Sequence, residues 1–453
     1  MRYNISYHDI PYYDPEVIEM AVSTRKELRS QIVYSVFVRQ YSKEGTFEKL
    51  REDLPRIRAL GADIIWLMPI HPIGRARRKG TLGSPYAISD YRAVNPEYGT
   101  PEDFRRLTDG IHALGMKCVI DVVYNHTSPD SVLASAHPEW FYHKADGSFG
   151  NKTGDWTDII DLDYSQEPLW DYQIETLVQW ARLVDGFRCD VAPLVPLGFW
   201  KRARAAVEAV RPGCIWLAES VEPEFILDNR ARGIGCLSDG ELYEAFDICY
   251  DYDVYRDFAA VLAGRAPLSD YLRQLARQEF AYPDNYVKLR QLENHDRLRA
   301  RALIPDARRL RNWTAFMYFQ KGITLLYNGQ ERSARLRPSL FDRDPVDWSA
   351  GEDLSPLLIR LGQIKRHPIF ADSAFTAADA GSGFILAQHR RGRELALGVF
   401  STEGRSGAVG VPLEDGSYTD LISGEEAQVQ CGMLLCGGEP MILRARPAAD
   451  SAP

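Results

Sequence analysis

Thr100-Pro101-Glu102-Asp103-Phe104 opens a stretch that runs through Leu107, Ile111 and Leu114 to Gly115, then passes into Cys118-Val119-Ile120-Asp121. Threonine is a favoured N-cap, proline fits the first helical turn, and the two acids suit the positive end of the helix dipole. The apolar residues recur at helical spacing, and glycine stands where the helix ends. The three apolar residues beyond it read as a strand buried on both faces. Helix, glycine and strand together make one repeat. The same cycle precedes it: Phe47, Leu50, Leu54, Ile57 and Leu60 form a helical stripe, Gly61 follows, and Ile64-Ile65-Trp66-Leu67 is the strand.

Followed in both directions, the pattern gives eight strand candidates, at residues 32–38, 64–67, 118–120, 184–188, 214–218, 242–246, 287–292 and 323–327. Most are separated by amphipathic stretches. Eight such units imply an α/β fold of the (β/α)8 TIM-barrel type over residues 1–370, with an open doubly wound sheet as the alternative. Two segments break the cycle. The excursion after the third strand, 127–160, is rich in His, Trp, Gly and Asp and much longer than a usual βα loop, and it reads as a short inserted domain B. Beyond about Phe370, short strands at 384–388, 395–400, 408–411 and 441–443 alternate with polar turns, which predicts a C-terminal all-β sandwich over 371–453. The tail from Pro447 to Pro453 is expected to fray.

The 453 residues carry 54 basic and 63 acidic side chains without long blocks of one sign. A basic footprint for nucleic acid is absent, and no apolar run is long enough to span a bilayer. The stretch from Met1 to Asp9 lacks the apolar core of a signal peptide, so a cytoplasmic, reducing location is expected. Seven cysteines fit that expectation: Cys118, Cys189 and Cys214 fall in strand-like runs as buried thiols, and only Cys431 and Cys436 are candidates for pairing.

A barrel of this kind builds its active site at the C-terminal ends of its strands. Acids cap four of them. Asp121 begins Asp121-Val122-Val123-Tyr124-Asn125-His126, Asp190 ends Gly186-Phe187-Arg188-Cys189-Asp190, Glu219 follows Ile215-Trp216-Leu217-Ala218, and Asp296 closes Glu293-Asn294-His295-Asp296. Cleaving a glycosidic bond with retention needs one carboxylate to attack and one carboxylic acid to give a proton. Asp190 and Glu219 come from consecutive strands, so barrel closure would set them side by side. Arg188, two residues before Asp190, points to the same face and would keep that carboxylate ionised. Glu219 emerges from an apolar run, where desolvation raises a carboxyl pKa and keeps it protonated. The bland reading of the same acids is a buried salt-bridge network.

DVVYNH, GFRCDVA, LAES and ENHD, in that order, resemble the four signature regions of glycoside hydrolase family 13, the α-amylase family. Gly83-Ser84-Pro85-Tyr86, Tyr98-Gly99-Thr100 and Tyr327-Asn328-Gly329-Gln330-Glu331 add to the likeness, which spans about Ile32 to Trp348. The resemblance implies Asp190 as nucleophile, Glu219 as acid/base and Asp296 as a third acid that stabilises the transition state. Tyr86, His126, Arg188 and His295 match positions that hold the sugar, and Asp121 a bracing acid. It further implies a retaining hydrolase acting on α-1,4 bonds of starch or maltodextrins, with Phe199-Trp200 pointing toward the neopullulanase and maltogenic amylase branch. The alternatives are an exo-acting α-glucosidase, a transglycosylase, or an inactive relative that only binds sugar or a partner. The expected partner is an α-glucan, with no nucleic acid and no membrane.

No cofactor is required for such chemistry. Many members hold a structural Ca2+ with residues matching Asn125 and Asp161, and carry Lys-His shortly after the nucleophile. Pro193-Leu194 stands there instead, a departure that tells against both the calcium and a substrate-binding lysine. No metal ligand is therefore assigned. Glu293 is a further candidate for substrate contact.

Overall fold

The computed structural model describes residues 23–153, 156–349 and 351–445. The stretch from Met1 to Asp9 read for a leader, and the tail from Pro447, lie outside them.

Eight parallel strands close a barrel: β1 Ile32–Val36, β2 Ile64–Leu67, β3 Lys117–Val122, β4 Gly186–Cys189, β5 Ile215–Ala218, β6 Ile248–Tyr250, β7 Val287–Arg290 and β8 Ile323–Tyr327, with β1 paired to both β2 and β8. Each strand is buried throughout or nearly so, as expected when the other face is covered by helices. Val33, Ile64, Val119, Ile215, Leu217, Val287, Leu289, Ile323 and Leu325 fill the barrel's interior as one apolar cluster, with Trp66 and Tyr250 among them.

The helices that sequence reading placed first are α1, Phe47–Ala59, and α2, Pro101–Ala113. Thr46 caps the first by accepting the Lys49 N–H at 3.3 Å. Thr100 and Asp103 form a reciprocal capping box on the second, and Gly115 follows it with φ 70°. Onward come α3 Glu167–Ala181, α4 Leu197–Glu208, α5 Pro223–Ala231, α6 Tyr252–Leu262, α7 Leu268–Ala281, α8 Ala307–Phe319 and α9 Ser355–Lys365.

The strand expected at 242–246 is corrected. Ser238 and Glu241 form a capping box that starts a helical turn at Asp239–Leu242, and the strand is Ile248–Tyr250. A short apolar run fits a buried helical turn as well as a strand, and here local capping chemistry decided. The first strand also ends earlier than read, because Val38–Tyr41 turn into a helix.

The excursion closes on itself. His126–Thr127 pair antiparallel with Ile160–Asp161, so its two ends meet beside the third strand, and Phe141 bridges to Leu162. Past the barrel, two four-stranded antiparallel sheets follow. One has the order β9-β10-β11-β16, from Ala374–Asp379, Phe384–Arg391, Glu394–Ser401 and Met441–Ala445. The other has the order β12-β15-β14-β13, from Gly407–Gly410, Met433–Cys436, Glu426–Gln430 and Gly416–Thr419. Phe384, Leu397, Val399, Val409, Val429 and Leu434 pack between them. All seven cysteines are free, so Cys431 and Cys436 do not pair; the first is exposed and the second buried.

The sheets meet the barrel along the C-terminus of α8. His389 Nε2 lies 2.6 Å from the Phe319 carbonyl, and the buried Lys365 ammonium donates to the carbonyls of Tyr318 and Gln320 at 2.7 and 3.2 Å. Phe316, Phe319, Phe370 and Phe400 pack around these polar contacts. Asn312 adds two hydrogen bonds, donating to the Gly438 carbonyl and accepting the Ser401 N–H. Among the described residues no helix is long and apolar enough to cross a membrane.

Candidate active site

Strand register brings the acids together. Cys189 pairs with Ala218 and Asp121 with Arg188, so Asp190 and Glu219 leave neighbouring strands at one level. The Asp190 N–H continues the ladder to the Val122 carbonyl at 2.8 Å, and the Glu219 N–H to the Cys189 carbonyl at 3.0 Å. Leu217 faces the barrel interior, and alternation carries Glu219 to the same side.

Arg188 is the hub. Its fully buried guanidinium donates to Asp121 Oδ1 at 2.9 Å and to Asp190 Oδ1 at 2.8 Å, while Nη2 lies 2.8 Å from Glu219 Oε1. That last contact is an ion pair off the N–H axis rather than an aligned hydrogen bond. The guanidinium also stands over the rings of Trp66, Tyr86 and Tyr250 at 5.2, 5.7 and 5.5 Å. One cation thus faces three buried carboxyls, which favours a proton on one of them.

The proton falls on Glu219. Burial is the largest influence on its carboxyl; Arg188 pulls the pKa down, Asp190 and Asp296 push it up, and it settles at about 8. Asp190 is raised less, to about 6, because burial and Asp121 are countered by Arg188 and by a hydrogen bond shared with Glu219. Asp296 differs from both. Burial acts upward on it, but His295 Nε2 at 3.0 Å, with Arg188 and Arg297, holds it down at about 2. Glu219 thus lies above Asp190, the order expected from environment, although Arg188 does not hold Asp190 below the ordinary carboxylate range.

Glu219 Oε2 accepts the main-chain N–H of Val191 at 2.8 Å. Val191 has φ 40° and ψ 43°, a left-handed backbone that a β-branched residue adopts only under strain. Nothing in the sequence announces this.

The four residues expected to hold sugar surround the same space. The Tyr86 ring stacks on His295 with centroids 5.4 Å apart and 16° between planes, and its hydroxyl contacts His295 Nε2 at 2.7 Å and donates to Asp121 Oδ2 at 3.1 Å. His126 Nε2 lies 3.9 Å from Asp190 Oδ2, and burial lowers its imidazole pKa to about 4, so it is neutral. Trp156, half-buried, adjoins His126 at 5.8 Å. Trp140 stacks on His137, and Trp170 packs on Phe199. Glu293 is buried and taken up by Arg299 at 2.6 Å and by the Ala300 N–H at 2.5 Å, which leaves it a brace rather than a substrate contact.

Around Asn125 and Asp161, the positions read for calcium, several polar atoms are already engaged. Asp161 Oδ2 is occupied by the Lys152 N–H at 2.6 Å, the Asn125 side-chain amide meets His126 Nδ1 at 3.2 Å, and neighbouring Asp158 is paired with Lys79 at 2.7 Å. Asp161 Oδ1 is a buried oxygen without a partner, against the roughly six to eight oxygens that calcium gathers. Among the described residues no group of three or more His, Cys, Asp or Glu is placed to hold a metal.

A closed barrel with three acids around one buried arginine at its strand ends defines the class, and comparison with known proteins gives the family. Residues 31–157 match the α-amylase catalytic domain and 376–443 the bacterial α-amylase C-terminal domain. An α-amylase from Lactobacillus plantarum superposes with a TM-score of 0.91 at 48% identity, covering 93% of this chain and 100% of that one. A maltogenic α-amylase from Thermotoga neapolitana gives 0.83 at 32% identity, with the same coverage. An α-1,4-glucan:maltose-1-phosphate maltosyltransferase from Rhodospirillum rubrum is 30% identical over 354 residues, 71% of this chain and 48% of that protein. The chain spans about half the length of the curated relatives it matches. It belongs to the α-amylase family, glycoside hydrolase family 13, a family of glycoside-active enzymes.

Proposed function

We propose that the protein is a retaining α-glucan hydrolase that cleaves α-1,4-glucosidic bonds through a covalent glycosyl-enzyme intermediate, without a metal. The observation that carries this is the shared grip of Arg188 on Asp190 and Glu219, with the proton on the second. A retaining pair stands roughly 5–5.5 Å apart across its sugar. Asp190 then attacks C1, Glu219 gives its proton to the departing oxygen, and the ester to Asp190 is later hydrolysed by a water that Glu219, now ionised, deprotonates. Asp296, ionised at the rim, faces the positive charge that develops on the sugar. Tyr86 offers an apolar face, and the neutral His126 offers a donor to hydroxyls.

The maltosyltransferases among the relatives favour a second reading, in which a sugar rather than water takes the glycosyl group. Both readings share the first half-reaction. Incubation with maltoheptaose and starch tests them together: reducing sugar released in proportion to bonds cut supports hydrolysis, and longer oligosaccharides support transfer. Asp190→Asn and Glu219→Gln are each expected to lower kcat by about a thousandfold or more while the fold survives. Near-wild-type turnover in either variant would overturn the assignment.

A further inference from the structure

We infer that Glu222 and Arg297 form a strap across the leaving-group side of the cleft and bias the glycosyl-enzyme toward water over a second sugar; this rests on the roles proposed for Asp190 and Glu219. Glu222 lies three residues beyond Glu219, at the N-cap position of α5. Arg297 directly follows Asp296. The two are ion-paired, and the guanidinium lies against the rings of Tyr252 and Tyr255, with centroids 4.3 and 4.2 Å away. Asn294 Oδ1 fixes the base of the strap by accepting the N–H groups of Asp296 and Arg297 at 2.9 and 3.0 Å, and Asn294 Nδ2 donates to the Tyr252 hydroxyl at 2.7 Å.

The loops that follow β5, β6 and β7 are thereby joined over the side from which Glu219 works. The helix carrying Glu222 is pinned twice more, by Glu224 to Arg256 on α6 and by Arg232 to the Lys152 carbonyl in the excursion at 2.7 Å. Arg188, Val191 and His295 contact Asp190, Glu219 and Asp296 directly, while Arg297 reaches Asp296 only through its charge. The strap's side chains are 25% and 32% exposed, so they border open space rather than the core.

Chemistry gives that border a function. In the second half-reaction the C1–O bond to Asp190 breaks, a new C1–O bond forms to the acceptor, the acceptor's proton passes to Glu219, and Asp190 leaves as carboxylate. Donor cleavage is identical for water and for sugar; only the room beside Glu219 differs. A paired, stacked arginine narrows that room, and water passes where a sugar ring must displace side chains.

The test is the ratio of transfer to hydrolysis products from maltotriose with added maltose, read by chromatography. That ratio is independent of how much enzyme is folded. Glu222→Gln and Arg297→Gln are each expected to raise it about fivefold, the scale of one partly exposed ion pair. The exchanged pair, Glu222→Arg with Arg297→Glu, is expected to bring it back toward wild type. A ratio unchanged in both single variants would overturn the strap while leaving the catalytic assignment intact. A wild-type enzyme that turns over no maltooligosaccharide would sink both.

Discussion

Val191 donates its N–H to Glu219 Oε2 at 2.8 Å from a backbone twisted into the left-handed region, φ 40° and ψ 43°. A valine there gives up about 1–2 kcal/mol relative to an ordinary backbone. The strain sits one residue past the proposed nucleophile and orients a donor on the proposed acid/base. Glycine adopts the same turn freely, so Val191→Gly is expected to melt within a few degrees of wild type and keep its pH profile. Proline has no N–H and cannot reach positive φ. Val191→Pro is expected to lose about tenfold or more in kcat/KM; equal activity would show that the amide does nothing for Glu219.

Activity is expected to follow a bell with limbs set by the Asp190–Glu219 pair. Asp190, near 6, must lose its proton to attack, and Glu219, near 8, must keep its own to donate, so kcat/KM rises through the first value and falls through the second. A profile still climbing above pH 9 would contradict the assignment of Glu219 as acid.

The same carboxyl affects stability. Its folded pKa lies above the usual value for glutamate, so the folded state holds a proton that the unfolded chain gives up. Stability from this group is present below about pH 4.3 and declines as pH rises toward 8. Glu219→Gln is expected to melt with a shallower pH dependence across that window, which differential scanning calorimetry reads directly.

Arg188 answers three carboxyls from within the barrel. Removing one partner of a buried ion pair costs about 3–5 kcal/mol. Arg188→Leu is therefore expected to shift the urea midpoint strongly downward and abolish turnover together. A stable, inactive variant would mean that the three acids simply protonate.

Lys365 is a fully buried ammonium that donates only to main-chain carbonyls, and burial, helped by Arg290, lowers its pKa to about 7. The folded state sheds this proton before the unfolded chain does, so stability climbs between about pH 7 and 10.4. Lys365→Met is expected to flatten that climb, as measured by thermal unfolding across the range.

Much of this was legible in the sequence because the carriers are local. Thr100 and Asp103 announce their helix through capping chemistry, and acids placed directly after apolar strands mark Asp190 and Glu219, with Asp296 in the loop beyond a third. What stayed hidden depends on contacts between distant segments. Ile248–Tyr250 is only three residues long, and the longer apolar run before it drew the strand reading toward a helical turn. Glu293 looked like a neighbour of the chemistry until Arg299 claimed it. The pairing of Glu222 with Arg297 joins residues 75 apart, and no spacing rule connects them.

The meeting of Lys365 and His389 with the end of α8 has a consequence for anyone who would shorten this enzyme. Those two side chains satisfy three consecutive carbonyls that water would otherwise have to reach, in a pocket walled by phenylalanines. Cutting the chain after the last barrel helix would bare that greasy surface and orphan the Phe319 carbonyl that His389 serves, while Lys365, the final residue of α9, would stay with the other two. The β-rich tail is in effect the barrel's missing outer wall, and a minimal catalyst would need a replacement for it.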